Sequence, residues 1–122
     1  MQVITAEQAA QLVQDGKCVV VSGSGGGHAV PEAILAATGA RFAQTGTPRD
    51  LTLVHVVGIG DRIAKGAAHF ARPGMVRRLI TSALIDSPVF IDLARDDRIA
   101  AWTLPQGVLS QIMREIAAGR PG

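Results

Sequence analysis

Asp15-Gly16-Lys17-Cys18-Val19-Val20-Val21-Ser22-Gly23-Ser24-Gly25-Gly26-Gly27-His28-Ala29-Val30-Pro31-Glu32 is the stretch that decides the fold. Asp15-Gly16 is a turn dipeptide. Cys18 to Val21 is an unbroken apolar, β-branched run, the pattern of a strand buried on both faces. The glycines that follow admit backbone conformations closed to other residues and let a ligand approach the main chain. Pro31 suits the first turn of a helix, and Glu32 complements its positive end. Turn, buried strand, glycine loop and helix start make the unit whose carboxyl end binds ligands in open α/β sheets.

Three known glycine loops fail against it. A G-x-G-x-x-G fingerprint begun at Gly23 needs glycine where His28 stands, and Val56-Val57-Gly58 offers no acidic residue after the second strand. A phosphate loop needs a Gly-Lys pair that is absent. A nucleophile elbow comes closest, but Ser22 occupies its first glycine. A tight strand-to-helix turn without a ligand is the plain structural reading.

Outward from this unit, strands and helices alternate. Thr5 and Gln8 form a capping box for a helix with Ala6, Ala9, Ala10 and Val13 on one face, stopped by Gly16. A second helix runs from about Pro31 to Ala43, with Ile34, Leu35, Thr38 and Phe42 inward. Leu51 to Val57 is a second strand holding His55 as a packed core residue, followed by the loop Gly58-Ile59-Gly60-Asp61. Ile63 to Ala71 is a weaker helix carrying His69. Val76 to Leu84 contains a third strand. Ser87-Pro88 supplies the cap and first turn of a helix through Ala94 or Asp97. Ile99 to Leu104 is a fourth strand, and Pro105-Gln106-Gly107 leads into a helix with Val108, Leu109, Ile112, Met113, Ile116 and Ala117 in apolar register. That order predicts an α/β fold, a parallel sheet with helices on both faces, over residues 1–122.

The composition narrows function. At 122 residues the chain is at most one domain. It is 48% hydrophobic and 18% charged, which is globular. No apolar run is long enough for a membrane span, and the start lacks a secretory pattern, so a cytoplasmic location without membrane partners is expected. The single Cys18, inside a predicted strand, reads as a small core residue in a reducing compartment. Arg62, Lys65, Arg72, Arg77 and Arg78 read as a solvated face. With 3% aromatics, no tyrosine and no binding motif, nucleic acid is not an expected partner. No metal site is read from the sequence.

Taken together, Asp15-Gly16, the three valines, the glycine loop and Pro31-Glu32 resemble the amino-terminal signature of family I coenzyme A transferases. The resemblance continues through Arg41-Phe42, Thr45-Gly46, Pro48-Arg49-Asp50-Leu51-Thr52 and Pro105-Gln106-Gly107. The closing Arg114 to Gly122 is similar to the acetate and propionate branch. Ser22-Gly23-Ser24 stands where that family has G-G-F or S-G-F, and His28 replaces a glycine.

The resemblance implies transfer of CoA from an acyl-CoA to a short-chain carboxylate through a glutamyl-CoA intermediate, with CoA a substrate and no permanently bound cofactor. The family's nucleophilic glutamate lies in its carboxyl-terminal half and has no match here. Glu7, Glu32 and Glu115 are the only glutamates, and each reads as a helix-surface or helix-end residue. The expectation is therefore a truncated, amino-terminal portion of a transferase, inactive alone and carrying no catalytic residue. Its partners would be the remainder of the enzyme or a second subunit, in a homo-oligomer when complete. Carried over residue by residue, Gly25, Gly26 and Gly27 match the loop lining the active site. Gln106 matches the glutamine facing the substrate carboxylate, and Gly58 ends the neighbouring strand. The alternative is a non-catalytic ligand-binding module of the sugar-phosphate isomerase or sensor type.

Overall fold

A computed structural model describes residues 2–23 and 29–120. Four strands, β1 (Cys18–Val20), β2 (Leu51–His55), β3 (Val76–Thr81) and β4 (Ala100–Thr103), form one parallel sheet in the order β1-β2-β3-β4. The helices are α1 (Ala6–Ala10), α2 (Glu32–Thr45), α3 (Ile91–Arg95) and α4 (Gln106–Ala117). Short 3-10 turns occupy Gly66–Phe70, Leu84–Asp86 and Pro88–Phe90. No helix among the described residues is long and apolar enough to cross a membrane.

The strand order is sequential, so right-handed crossovers advance in one direction and lay their connections on one face. That face is the core. Leu51, Leu53 and His55 of β2 and Leu79 and Thr81 of β3 point into it and are fully buried. A register shift between Leu51 and Thr52 passes over Arg77, which lets Val76 join the core as well. Leu35, Phe70, Met75 and Phe90 close over these residues. At about 1.5–3 kcal/mol for each large apolar side chain removed from water, this cluster dominates the stability of the domain.

The opposite face is mostly open. Cys18 is exposed there, and Val20 and Trp102 are 54% and 58% exposed. The apolar run at β1 was expected to be buried on both faces, with Cys18 in the core. It forms a strand, but β1 lies at the sheet edge and only Val19 turns inward. A run of apolar residues does not distinguish an edge strand from a central one.

Other expectations change at element ends. The capping box holds: Thr5 N–H donates to Gln8 Oε1 at 2.9 Å, and Gln8 N–H to Thr5 Oγ1 at 3.2 Å. The helix ends at Ala10, well before Gly16, and Arg41 of α2 binds the chain there, donating to Ala10 O at 2.8 Å and to Val13 O beyond the helix at 2.7 Å. Asp15 and Gly16 grip the loop before β2 instead: Asp15 Oδ1 accepts from Arg49 N–H at 3.0 Å, and Gly16 N–H donates to Arg49 O at 2.8 Å. Ile63 to Ala71 is not a helix. Ile63 is 79% exposed, and only Gly66–Phe70 winds, as a 3-10 turn. Ser87 does not cap a helix either; its hydroxyl turns inward to His55. In α4 only Leu109 is fully buried, while Val108 and Ile116 remain exposed.

Gly39 explains how α2 seats on the 3-10 turn. A methyl added at Gly39 would stand 2.6 Å from the His69 carbonyl oxygen, so only glycine permits that approach. Gly39→Ala should destabilise the domain by about 1–3 kcal/mol, the usual cost of overpacking, seen as a lower urea midpoint with unchanged slope. A midpoint raised by the better helix former would show that the contact gives way.

Candidate functional site

The carboxyl ends of β1 and β2 open into a cleft of about 410 Å³ lined by Val20, Val21, Ser22, Gly23, Val56, Val57, Ser110 and Met113. Ser22 and Gly23, which begin the glycine-rich loop singled out in the sequence, line this cleft. The sequence did not reveal that α4 returns to it, because nothing in the apolar register of α4 says where Ser110 and Met113 will sit. Met113 and Val20 line the same cleft, and the parallel sheet with its helices is the α/β fold that the strand-helix alternation predicted.

Gly25, Gly26 and Gly27 lie outside the described residues. β2 ends at His55 and not at Val57 as expected, so Gly58 stands three residues past it, next to the cleft-lining Val57, and packs against the next crossover: a methyl there would come 2.7 Å from Asp86 Cβ. Gln106 is the exposed first residue of α4, directly after Pro105. It is at a helix start following a strand end, as expected, and it is not among the residues lining the cleft. Ser82, just past β3, has a buried hydroxyl without a hydrogen-bond partner among the described residues.

Behind the cleft the polar residues are tied to one another. Glu32, at the start of α2, reaches across to the 3-10 turn, where Oε2 accepts from Gly66 N–H at 2.8 Å and Oε1 meets His69 Nε2 at 2.7 Å. Partial burial raises its carboxyl pKa, but these bonds outweigh that and hold it below its ordinary value. Glu32 was expected simply to complement a helix end, and no spacing rule connects it with His69. His55 is fully buried, as expected of a packed histidine. Burial pushes its pKa down, against the opposing bond to Val57 and the charge of Asp86. Asp86 itself pairs with Arg62 at 2.8 Å. No group of three or more metal-ligating side chains occurs among the described residues.

Asp61 organises the loop after β2. Its Oδ1 accepts from the N–H groups of Ile63, Ala64 and Lys65 at 2.8–2.9 Å, which holds its pKa down to about 2. Because this value lies below the ordinary 3.8, the loop's stabilisation is complete above pH 3.8 and lost as pH falls through about 2. Amide protection at Ile63, Ala64 and Lys65, measured against the intrinsic exchange rate at each pH, should fall over that window, and in Asp61→Ala it should be absent at every pH. Equal protection in the variant would show that the carboxylate does not order the loop.

With this arrangement in view, comparison with known proteins is decisive at the level of family. The coenzyme A transferase family model matches residues 3–122. The chain is 35% identical over 120 residues to the acetate CoA-transferase YdiF of Escherichia coli O157:H7, covering 98% of this chain and 23% of that protein. It is 36% identical to the caffeate CoA-transferase of Acetobacterium woodii, over 98% of this chain and 22% of that one. Crystal structures of the E. coli O157:H7 acyl-CoA transferase YdiF superpose closely. The apoenzyme gives a TM-score of 0.93 at 35% identity, and a thioester complex with CoA gives 0.92 at 34%, each covering 98% of this chain and about a quarter of that one. The chain belongs to the coenzyme A transferase family. It spans about 23% of the length of the acetate CoA-transferase it matches, corresponding to the amino-terminal portion.

Proposed function

We propose that these residues form the substrate-side wall of an enzyme that moves CoA from an acyl-CoA to a short-chain carboxylate, with the nucleophilic glutamate outside the 122 residues. The observation that carries this reading is the disposition of the three glutamates. Glu32 is committed to Gly66 and His69. Glu115 pairs with Arg120, and Glu7 sits on the first turn of α1. None of the three lines the cleft.

In the proposed reaction a glutamate oxygen attacks the thioester carbonyl and expels CoA thiolate, leaving an acyl-glutamyl anhydride. The thiolate then attacks the glutamyl carbonyl and releases the first carboxylate. The second acid reverses these steps, so one transfer is divided into exchanges of similar energy. This segment's part is to bind and to stabilise oxyanions with amide donors at strand ends, from Gly25, Gly26, Gly27, Gly58 and Gln106. CoA enters as substrate, and no resident cofactor is needed. The complete enzyme, a cytoplasmic homo-oligomer in this reading, supplies the nucleophile from the remaining polypeptide or a second subunit.

Two measurements test the reading. The purified 122-residue chain should catalyse no CoA exchange between acetyl-CoA and propionate, and turnover above a heat-treated control would refute the assignment of the nucleophile. In the full-length enzyme, Gln106→Ala should leave the melting temperature unchanged, because this side chain is exposed. Its kcat/KM should fall about tenfold to a thousandfold, the scale of losing one oxyanion donor. Gln106→Glu should fall further, since its charge repels the carboxylate. Unchanged kinetics in Gln106→Ala would leave it a turn residue.

A further inference from the structure

The buried histidine of β2 has a set of partners that core packing does not require. His55 Nδ1 lies 2.9 Å from the carbonyl oxygen of Val57. A carbonyl only accepts, so Nδ1 carries the ring proton. Thr81 Oγ1, 3.1 Å from the same nitrogen, shares that proton. Nε2 is then the acceptor, and the Ser87 hydroxyl donates to it from 3.3 Å. Thr81 and Ser87 are themselves buried, so the ring is held neutral in one tautomer by residues from β3 and the following crossover.

The consequence falls on the peptide between Val57 and Gly58. It is trans, and across a trans peptide plane the carbonyl and the next N–H point in opposite directions. With the Val57 carbonyl drawn down to the buried ring, the Gly58 N–H points away from the core, at the strand end beside the cleft-lining Val56 and Val57. No backbone carbonyl among the described residues accepts from it.

We infer that His55 is a positioning residue: it sets the Val57–Gly58 peptide so that the Gly58 amide faces the reacting carbonyl oxygen of an acyl-CoA. This rests on the transferase reading above. A peptide rotated the other way would present the Val57 carbonyl, and its partial negative charge would repel a developing oxyanion.

Two substitutions separate positioning from packing. In His55→Asn the side-chain amide takes the place of Nδ1 and keeps the donor to Val57. In His55→Gln it takes the place of Nε2, keeps the Ser87 contact and loses that donor. Glutamine is closer to histidine in volume, so packing alone ranks Gln above Asn in both stability and activity. Positioning ranks them oppositely in activity. In the full-length enzyme, His55→Gln should lower kcat about thirtyfold with KM for acyl-CoA within about threefold. His55→Asn should recover kcat to within about fivefold of the parent, even if it melts lower. Ring nitrogen NMR of the parent should show the Nδ1-protonated tautomer. Gln equal to or better than Asn in kcat, or an Nε2-protonated ring, overturns the inference while leaving an active transferase. A parent enzyme without CoA exchange, yet with an Nδ1-protonated ring, would instead refute the transferase reading and with it the role of the amide.

Discussion

The structure depends on the burial of β2 between two parallel neighbours. Leu51, Leu53 and His55 are inaccessible on the core side, and Val54 is 4% exposed on the other. Parallel pairing cannot be closed by hairpins, so each neighbour must be reached by a crossover over the sheet. Those crossovers supply α2, Phe70 and Phe90, which bury the strand that required them. The chain that leaves this strand brings Val56 and Val57 to the cleft, with Gly58 next to them. Core and site are therefore consecutive segments of one chain, and a change in β2 register would move both.

The crossovers are secured by polar contacts as well as by apolar packing. Arg41 fastens α1 to α2, Glu32 fastens α2 to the 3-10 turn, and Asp15 fastens the β1 turn to the loop before β2. Each uses a side chain to satisfy backbone groups that an irregular segment leaves unpaired, and a buried unpaired group is costly. This is why a chain with short helices and 3-10 turns can still hold a defined cleft.

Much of the fold was readable because it rests on local patterns. The strands at Leu51 and Val76, the Thr5 capping box and the helix after Pro105 follow from periodicity and end signals. What could not be read depends on neighbours distant in sequence. Cys18 and Val20 have the composition of an interior strand, but they project from the open face of an edge strand, which periodicity does not reveal. Ser87 has the form of a helix cap, but His55 competes for its hydroxyl and wins. The Ile63 segment has enough apolar residues for a helix, yet Asp61 captures its amides in a loop. For the site, the family resemblance pointed to strand ends, where the cleft lies. Ser110, Met113 and the His55 partners come from elements far apart in the chain, and no motif joins them.

The open face of the sheet has a practical use. The chain's one cysteine and one tryptophan, Cys18 and Trp102, both project from that face, on β1 and β4 at its opposite edges. Three strand spacings and a two-residue offset separate them by roughly 16 Å. A quencher attached to the thiol would sit within range of the indole, and the pair forms a native optical ruler across the surface. Anything that settles on that surface must enter the gap between dye and ring, changing the fluorescence without an added tryptophan or a second thiol.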